Sequence, residues 1–247
     1  MSTVTEGRGM TELAALLADG TRAGICLALL DGRAWTAGEL ARRAGVAPST
    51  ASDHLTRLVR GGLLVEERQG RHRYLRLAGP SVAQLIESLA GHAPSPPAPT
   101  GSLRASNASA AMAYARTCYD HLAGRLGVQM YDALLADGRL DRASGLTLTP
   151  DGWAWAAGLG VPVDVLRAAR RPVVRDCLDW TERRPHLAGA LGAALCRHFA
   201  ELGWTTRGAG RAVRLTPTGR SALAATLNIP EDALGATPPA PTTGGRA

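Results

Sequence analysis

The stretch Gly45–Arg60, GVAPSTASDHLTRLVR, constrains this chain more than any other. Pro48 stands where a first helical residue belongs, because the N–H it lacks has no intrahelical partner at that position. Ala51, Leu55, Leu58 and Val59 recur at helical spacing and form one apolar stripe. Ser49, Thr50, Asp53, Thr56, Arg57 and Arg60 fall on the other side, with Ser52 and His54 at the border. Just upstream, Thr36-Ala-Gly-Glu39 has the form of a capping box, in which the Thr36 hydroxyl and the Glu39 carboxylate each close on the other's backbone amide. The helix it opens turns Leu40, Ala41 and Ala44 inward and Arg42 and Arg43 outward. It ends at Gly45, in the left-handed conformation that Gly adopts cheaply. Two short helices joined by so tight a turn form a helix-turn-helix unit.

The polar face of the second helix has a chemistry of its own. Short hydroxyls near its start, with Asp53, can meet base edges in a major groove, and arginines further along can meet phosphates. The expected contacts are Ser49, Thr50, Ser52, Asp53, His54, Thr56, Arg57 and Arg60. Taken alone, the same helix is equally a surface helix with a solvated face. Its C-terminal neighbours decide between the two. Gly61-Gly62 stops it, and Leu63–Arg68 and Arg71–Leu77 read as two strands joined at Gln69-Gly70. Arg68, Arg71, Arg73 and Arg76 lie on or beside this hairpin, opposed only by Glu66 and Glu67. Arginine at a hairpin tip suits a phosphate backbone or a narrow minor groove. A solvated hairpin that blunts its edges with charge is the plainer alternative.

With these pieces in place, residues 11–90 resemble the ArsR/SmtB-type winged-helix repressors. The resemblance rests on Asp19-Gly-Thr-Arg22, Glu39-Leu-Ala, Gly45 through Leu55, Leu58, Gly61-Gly-Leu63 and Gly70-Arg71…Tyr74. It implies a homodimer on double-stranded DNA, a dimer interface made by the first and last helices, and repression. It does not imply the family's metal sites. Trp35–Ala44 carries no Cys where the metal-sensing members have a cysteine pair, and the last helix, Pro80–Leu89, offers Glu87 alone.

The net charge of +7 and a pI near 10.0 fit an anionic partner. All of the basic residues are Arg, which a GC-rich coding bias would also produce. Residues 1–10 read as disordered, with no signal-peptide core. The longest apolar stretch, Leu187–Cys196, is too short to span a membrane. Four scattered cysteines point to reduced thiols in a cytoplasm. Thr11–Ala18 and Thr21–Leu30 read as helices, with Cys26 on the inward stripe of the second, and Pro80 opens the last helix of a domain spanning 11–92.

Residues 93–102 are a Pro-rich linker, and 235–247 a Pro/Thr/Gly-rich tail without structure. Between them, 103–234 contains an internal repeat, about 118–166 and 183–234. His121-Leu-Ala-Gly recurs as His186-Leu-Ala-Gly, Gly138 as Gly203, and Leu148-Thr-Pro-Asp-Gly152 as Leu215-Thr-Pro-Thr-Gly219. Each copy reads as a helix starting near His-Leu-Ala-Gly, a hairpin, and a helix capped by Thr149 or Thr216. The expected fold is therefore mainly α with small β-hairpins (α+β): an N-terminal winged helix-turn-helix and a C-terminal tandem winged-helix-like repeat. Neither copy carries a polar face like that of Pro48–Arg60, so the tandem domain reads as regulatory or as an assembly domain.

Cys118, His121, Cys177 and His186 are its candidate effector site. Cys118 and His121, spaced one helical turn apart, would face the same way on a helix. Two thiols and two imidazoles suit a soft metal, arsenite or an oxidant. The same residues serve equally as small buried thiols and helix-capping histidines. Trp153, Trp155, Trp180 and Trp204, with Tyr119 and Tyr131, either line a small-molecule pocket or fill a core. There is no phosphate loop or carboxylate pair, and no cofactor, resident metal or catalytic residue is expected. A winged-helix protein–protein adaptor and a thiol- or metal-dependent enzyme are the competing readings; the Arg-rich wing argues against the first.

Overall fold

The computed structural model describes residues 3–70, 72–93 and 103–235. The chain divides into two compact units, Met1–Ile86 and Glu87–Ala247.

The first unit opens with helix α1, Thr3–Leu17. This helix starts well before Thr11, within a stretch read from the sequence as disordered. An Arg8–Glu12 ion pair one turn apart (3.2 Å) and the Thr11 hydroxyl donating to Gly7 O (2.9 Å) support the added turns. Helix α2, Gly20–Ala28, is capped by the Asp19 side chain, which accepts from the Arg22 amide, and runs into a 3-10 turn at Leu29–Asp31. Strand β1, Trp35–Thr36, precedes α3, Ala37–Ala44, where the capping box is formed in both directions and Gly45 closes the helix at φ 68°. The Thr36 amide and hydroxyl, each 2.8 Å from the Glu39 carboxylate, hold that carboxyl below its ordinary range. Helix α4, Pro48–Arg60, follows.

Strands β2, Leu64–Gln69, and β3, His72–Leu77, form the hairpin, and β1 joins the free edge of β3 in the order β1-β3-β2. Gln69 pairs with His72, so Gln69 belongs to the strand and the turn begins at Gly70, one residue later than the sequence reading. The shift puts Gly70, at φ 58°, in the first central position, where tight hairpins need positive φ. Ile25, Cys26, Leu29, Leu30, Leu40, Leu55, Leu58, Leu63 and Leu75 are buried in this unit.

Helix α5, Pro80–His92, continues past Leu89, and the boundary between the units falls inside it rather than in the 93–102 linker, of which 94–102 lie outside the described residues. Its last turns are tied into the second unit. Glu87 pairs with Arg211 (2.9 Å), and Arg183 donates to Gly91 O (2.9 Å).

After α6, Leu103–Tyr114, the repeat appears as two copies of hairpin, helix, hairpin, helix. The first copy is β4 (Arg116–Cys118), β5 (His121–Ala123), α7 (Arg125–Ala136), β6 (Leu140–Asp141), β7 (Thr147–Leu148) and α8 (Pro150–Gly158), with α9 (Val163–Arg167) appended. The second is β8 (Arg175–Leu178), β9 (Pro185–Ala188), α10 (Gly189–Glu201), β10 (Thr205–Arg207), β11 (Val213–Leu215) and α11 (Pro217–Leu227). The expected helix, hairpin and capped helix are present in order: Thr149 and Thr216 each accept from the Gly152 or Gly219 amide at 3.0 Å. The His-Leu-Ala segments, however, are strands. Helix α7 starts one residue after Gly124 and α10 at Gly189 itself, and both glycines, at φ 80° and 90°, break the hairpin from the helix. Helix α7 packs on β9 and α10 on β5, so each copy's helix lies against the other copy's hairpin. One shared core, from Tyr114 to Leu234, fills this unit. The tail from 236 lies outside the described residues.

Candidate functional site

Helix α4 presents the expected face. Ser49, Thr50, Ser52, Asp53, Arg57 and Arg60 are exposed, and Ala51, Leu55 and Leu58 are buried. Two expected contacts are committed elsewhere. The Thr56 hydroxyl donates back to Ser52 O (2.8 Å). His54 is turned inward, its side chain 16% exposed, with Nδ1 3.4 Å from Arg22 Nη1 and 3.7 Å from Asp19 Oδ1. Arg22 also donates to Leu16 O and Ala15 O (2.6 and 3.0 Å), satisfying carbonyls at the end of α1. Asp19, Arg22 and His54 thus anchor α4 to the helices behind it, a role that its border position in the sequence did not reveal.

On the hairpin, Glu66 lies between two of the expected phosphate contacts. Arg68 Nε is 3.0 Å and Arg73 Nε 2.7 Å from its carboxylate, and the Arg73 side chain is only 19% exposed against 78% for Arg68. Burial disfavours the charge on Glu66, yet the two guanidiniums hold its carboxyl below the ordinary range. Arg71 lies outside the described residues. Arg68 and Arg73 are cross-strand partners, a relation that follows only from the true register.

In the second unit, Cys118, His121, Cys177 and His186 meet. Their ligand atoms all lie within 4.8 Å of one another. The helical spacing expected for Cys118 and His121 is replaced by a hairpin. Cys118 and His121 are directly opposed across β4 and β5, as Cys177 and His186 are across β8 and β9. Opposed residues point to one face of a ladder, so each hairpin delivers one thiol and one imidazole together. The thiols are 3.7 Å apart and the two Nε2 atoms 3.2 Å apart. All four residues are buried. His121 Nδ1 is 3.1 Å from Asp120 Oδ1, which Arg171 holds from its other oxygen (2.6 Å); His186 Nδ1 is 3.7 Å from Asp179 Oδ2. Asp179 in turn pairs with the fully buried Arg116 at 2.9 Å. The Cys-x-Asp at 118–120 and again at 177–179 was the signal for these carboxylates. Burial and the neighbouring Cys177 and Glu87 push the Cys118 thiol up, whereas Cys118 and the two imidazoles hold Cys177 far down against burial.

Trp153, Trp155 and Trp204 pack on the core, and Trp153, Trp155 and Trp180 each face a guanidinium at 4.6–5.2 Å. A hollow along β11 and α11 is lined by Arg214, Arg220, Glu231 and Asp232, with no tryptophan. Among the described residues, no single helix is long and apolar enough to cross a membrane.

Residues 17–67 match the family model described as a helix-turn-helix domain. Over 222 residues, 89% of this chain and 97% of the relative, the sequence is 42% identical to the uncharacterized HTH-type transcriptional regulator YdfF of Bacillus subtilis (strain 168). Among solved structures, the homodimeric winged helix-turn-helix DNA-binding domain of Mb0332 from Mycobacterium bovis, a possible ArsR-family transcriptional regulator, is 30% identical. It covers 36% of this chain and 83% of its own, at a TM-score of 0.34. HlyU from Vibrio cholerae N16961 is 28% identical over 36% of this chain and 94% of its own, at a TM-score of 0.33.

Proposed function

Because the chain belongs to the ArsR-like helix-turn-helix transcriptional regulators and is a DNA-binding regulator, we propose that it is a cytoplasmic repressor which binds an inverted-repeat operator as a homodimer. The observation that carries the reading is the exposed face of α4 beside the basic hairpin. Ser49, Thr50, Ser52 and Asp53, near the helix N-terminus, reach base edges, and Arg57, Arg60, Arg68, Arg71 and Arg73 neutralise phosphates. Asp53 fits such a face where it accepts from a cytosine amine. Thr56 contributes through its methyl group, since its hydroxyl is committed to Ser52 O. His54 positions α4 from behind. Exposed apolar residues on α1 and α5, Met10 and Leu89, are surface that a dimer covers. The second unit tunes binding and has no catalytic role.

Selection from random duplexes followed by footprinting tests this reading. The expected site is an inverted repeat with half-sites about one helical turn or a multiple apart. A single asymmetric site bound by a monomer refutes it.

A further inference from the structure

We propose that Cys118, His121, Cys177 and His186 form a tetrahedral binding site for a zinc-like divalent ion, which clamps the two repeats of the second unit together. The inference is independent of how the first unit reads DNA.

Distance is the first argument. Zinc holds thiolate sulfur at about 2.3 Å and imidazole nitrogen at about 2.0–2.1 Å, so a regular tetrahedron has an S–S edge of about 3.8 Å and an N–N edge of about 3.3–3.4 Å. The observed Sγ–Sγ and Nε2–Nε2 separations are 3.7 and 3.2 Å. A thiol pair alone would also fit a redox switch, but nothing in that chemistry requires two imidazoles to converge on the same point.

Tautomers give the second argument. With Nδ1–H of His121 donated to Asp120, the Nε2 lone pair of His121 points at Nε2 of His186. Two ring nitrogens facing each other at that distance share a proton or a cation. The Asp120 carboxylate behind His121 matches the outer shell that orients a histidine ligand and raises its basicity, and Asp179 lies 3.7 Å behind His186 Nδ1 without a hydrogen bond to it.

Charge gives the third. Binding releases both thiol protons, and two thiolates with two neutral imidazoles cancel the charge of a divalent ion. The resulting centre is neutral, which suits a site with all four ligands buried. Four protein ligands leave no open position, as in structural rather than catalytic zinc sites.

The site joins the copies because each hairpin contributes one sulfur and one nitrogen. Gly127 and Gly192, equivalent in the two copies, let the helices approach. A Cβ on Gly127 would lie 3.7 Å from Cβ of His186, and one on Gly192 would lie 3.3 Å from Cβ of His121.

The test uses the full-length, fully reduced chain, stripped by chelator and reloaded with zinc or cobalt(II). The expected results are one ion per chain, a tetrahedral cobalt spectrum with sulfur-to-metal charge transfer, a higher Tm, and protection of Cys118 and Cys177 from alkylation. Asp120→Asn, which leaves the ligands in place, should weaken zinc roughly 10–100-fold. Cys118→Ser and Cys177→Ser should weaken it further, and Cys196→Ser should not. The proposal is overturned if the reduced wild-type chain takes up no stoichiometric ion, if cobalt is octahedral, or if uptake survives both cysteine variants. Because the first two results come from the wild-type chain, the proposal remains falsifiable even if a cysteine variant does not fold.

Discussion

Asp179→Ala removes the acceptor of a crowded buried site. Its carboxylate accepts from Arg116 Nη2 (2.9 Å), the Gly124 amide (2.6 Å), the Thr181 amide and hydroxyl (2.9 and 2.6 Å) and the Glu182 amide (3.0 Å). Against burial, Arg116 and these donors hold the Asp179 carboxyl well below the usual range. In the variant, Arg116 stays fully buried with only Met112 O, Thr181 Oγ1 and the face of Trp180 as partners. Removing one member of a buried ion pair costs about 3–5 kcal/mol, a large part of the roughly 5–15 kcal/mol that holds a domain folded. With m near 2 kcal/mol/M, that is a urea midpoint lowered by roughly 2 M. Four of the five tryptophans (Trp153, Trp155, Trp180 and Trp204) lie in the second unit, so intrinsic fluorescence in chelator follows this unit above the first. Arg116→Met with Asp179→Asn should recover about half of the loss, because a pair replaced on both sides leaves no bare charge. A cost below about 1 kcal/mol for Asp179→Ala, or a double variant no more stable than the single one, refutes the reasoning.

Gly192→Ala puts a Cβ 2.5 Å from Leu187 O and 3.3 Å from Cβ of His121; urea melts should show a loss of about 1–3 kcal/mol, the usual cost of overpacking. Thr36→Ala should lower the stability of the first unit by about 0.5–2 kcal/mol in the same assay. The depressed Glu39 carboxyl adds stability that is present above its unfolded pKa and lost as pH falls through the folded value, so the variant and parent should converge in acid. Burial pushes the thiols of Cys26 and Cys196 up to about 12 and about 11, so iodoacetamide at pH 8 should leave both unmodified in the folded chain, as mass spectrometry of digests would show. Glu66→Gln frees Arg68 and Arg73 and should raise affinity for any duplex while steepening its salt dependence, measured by fluorescence anisotropy.

The first unit was legible because its signals are local. A capping box, a Pro at a helix start and a Gly at a helix end act within a few residues, and α3 and α4 lie where those signals put them. The hairpin turn slipped by one because Gly70 fits either central position and only the Gln69–His72 pairing decides. In the second unit, the repeat was visible but its first hairpin was not. Cys118-Tyr-Asp-His121 has helical spacing, and its turn places Tyr119 at φ 58°, which a non-glycine residue seldom adopts. The spacing of Cys118 and His121 and its echo in the repeat grouped these four residues, but their meeting depends on contacts 59 and 65 residues apart, across two hairpins. The inward turn of His54 was not legible because the residues that face it, Asp19 and Arg22, lie more than 30 positions upstream.

The central claim is that α4 and the hairpin read duplex DNA. Its most direct test is equilibrium binding of the full-length chain to its selected inverted repeat and to a scrambled duplex across a salt series. The account predicts at least about 10³-fold preference for the selected site, a log–log salt slope of several units for both duplexes, and loss of the preference but not of the slope in Ser49→Ala/Thr50→Ala. Equal affinity for the two duplexes, or a selected-site preference untouched by that variant, contradicts it.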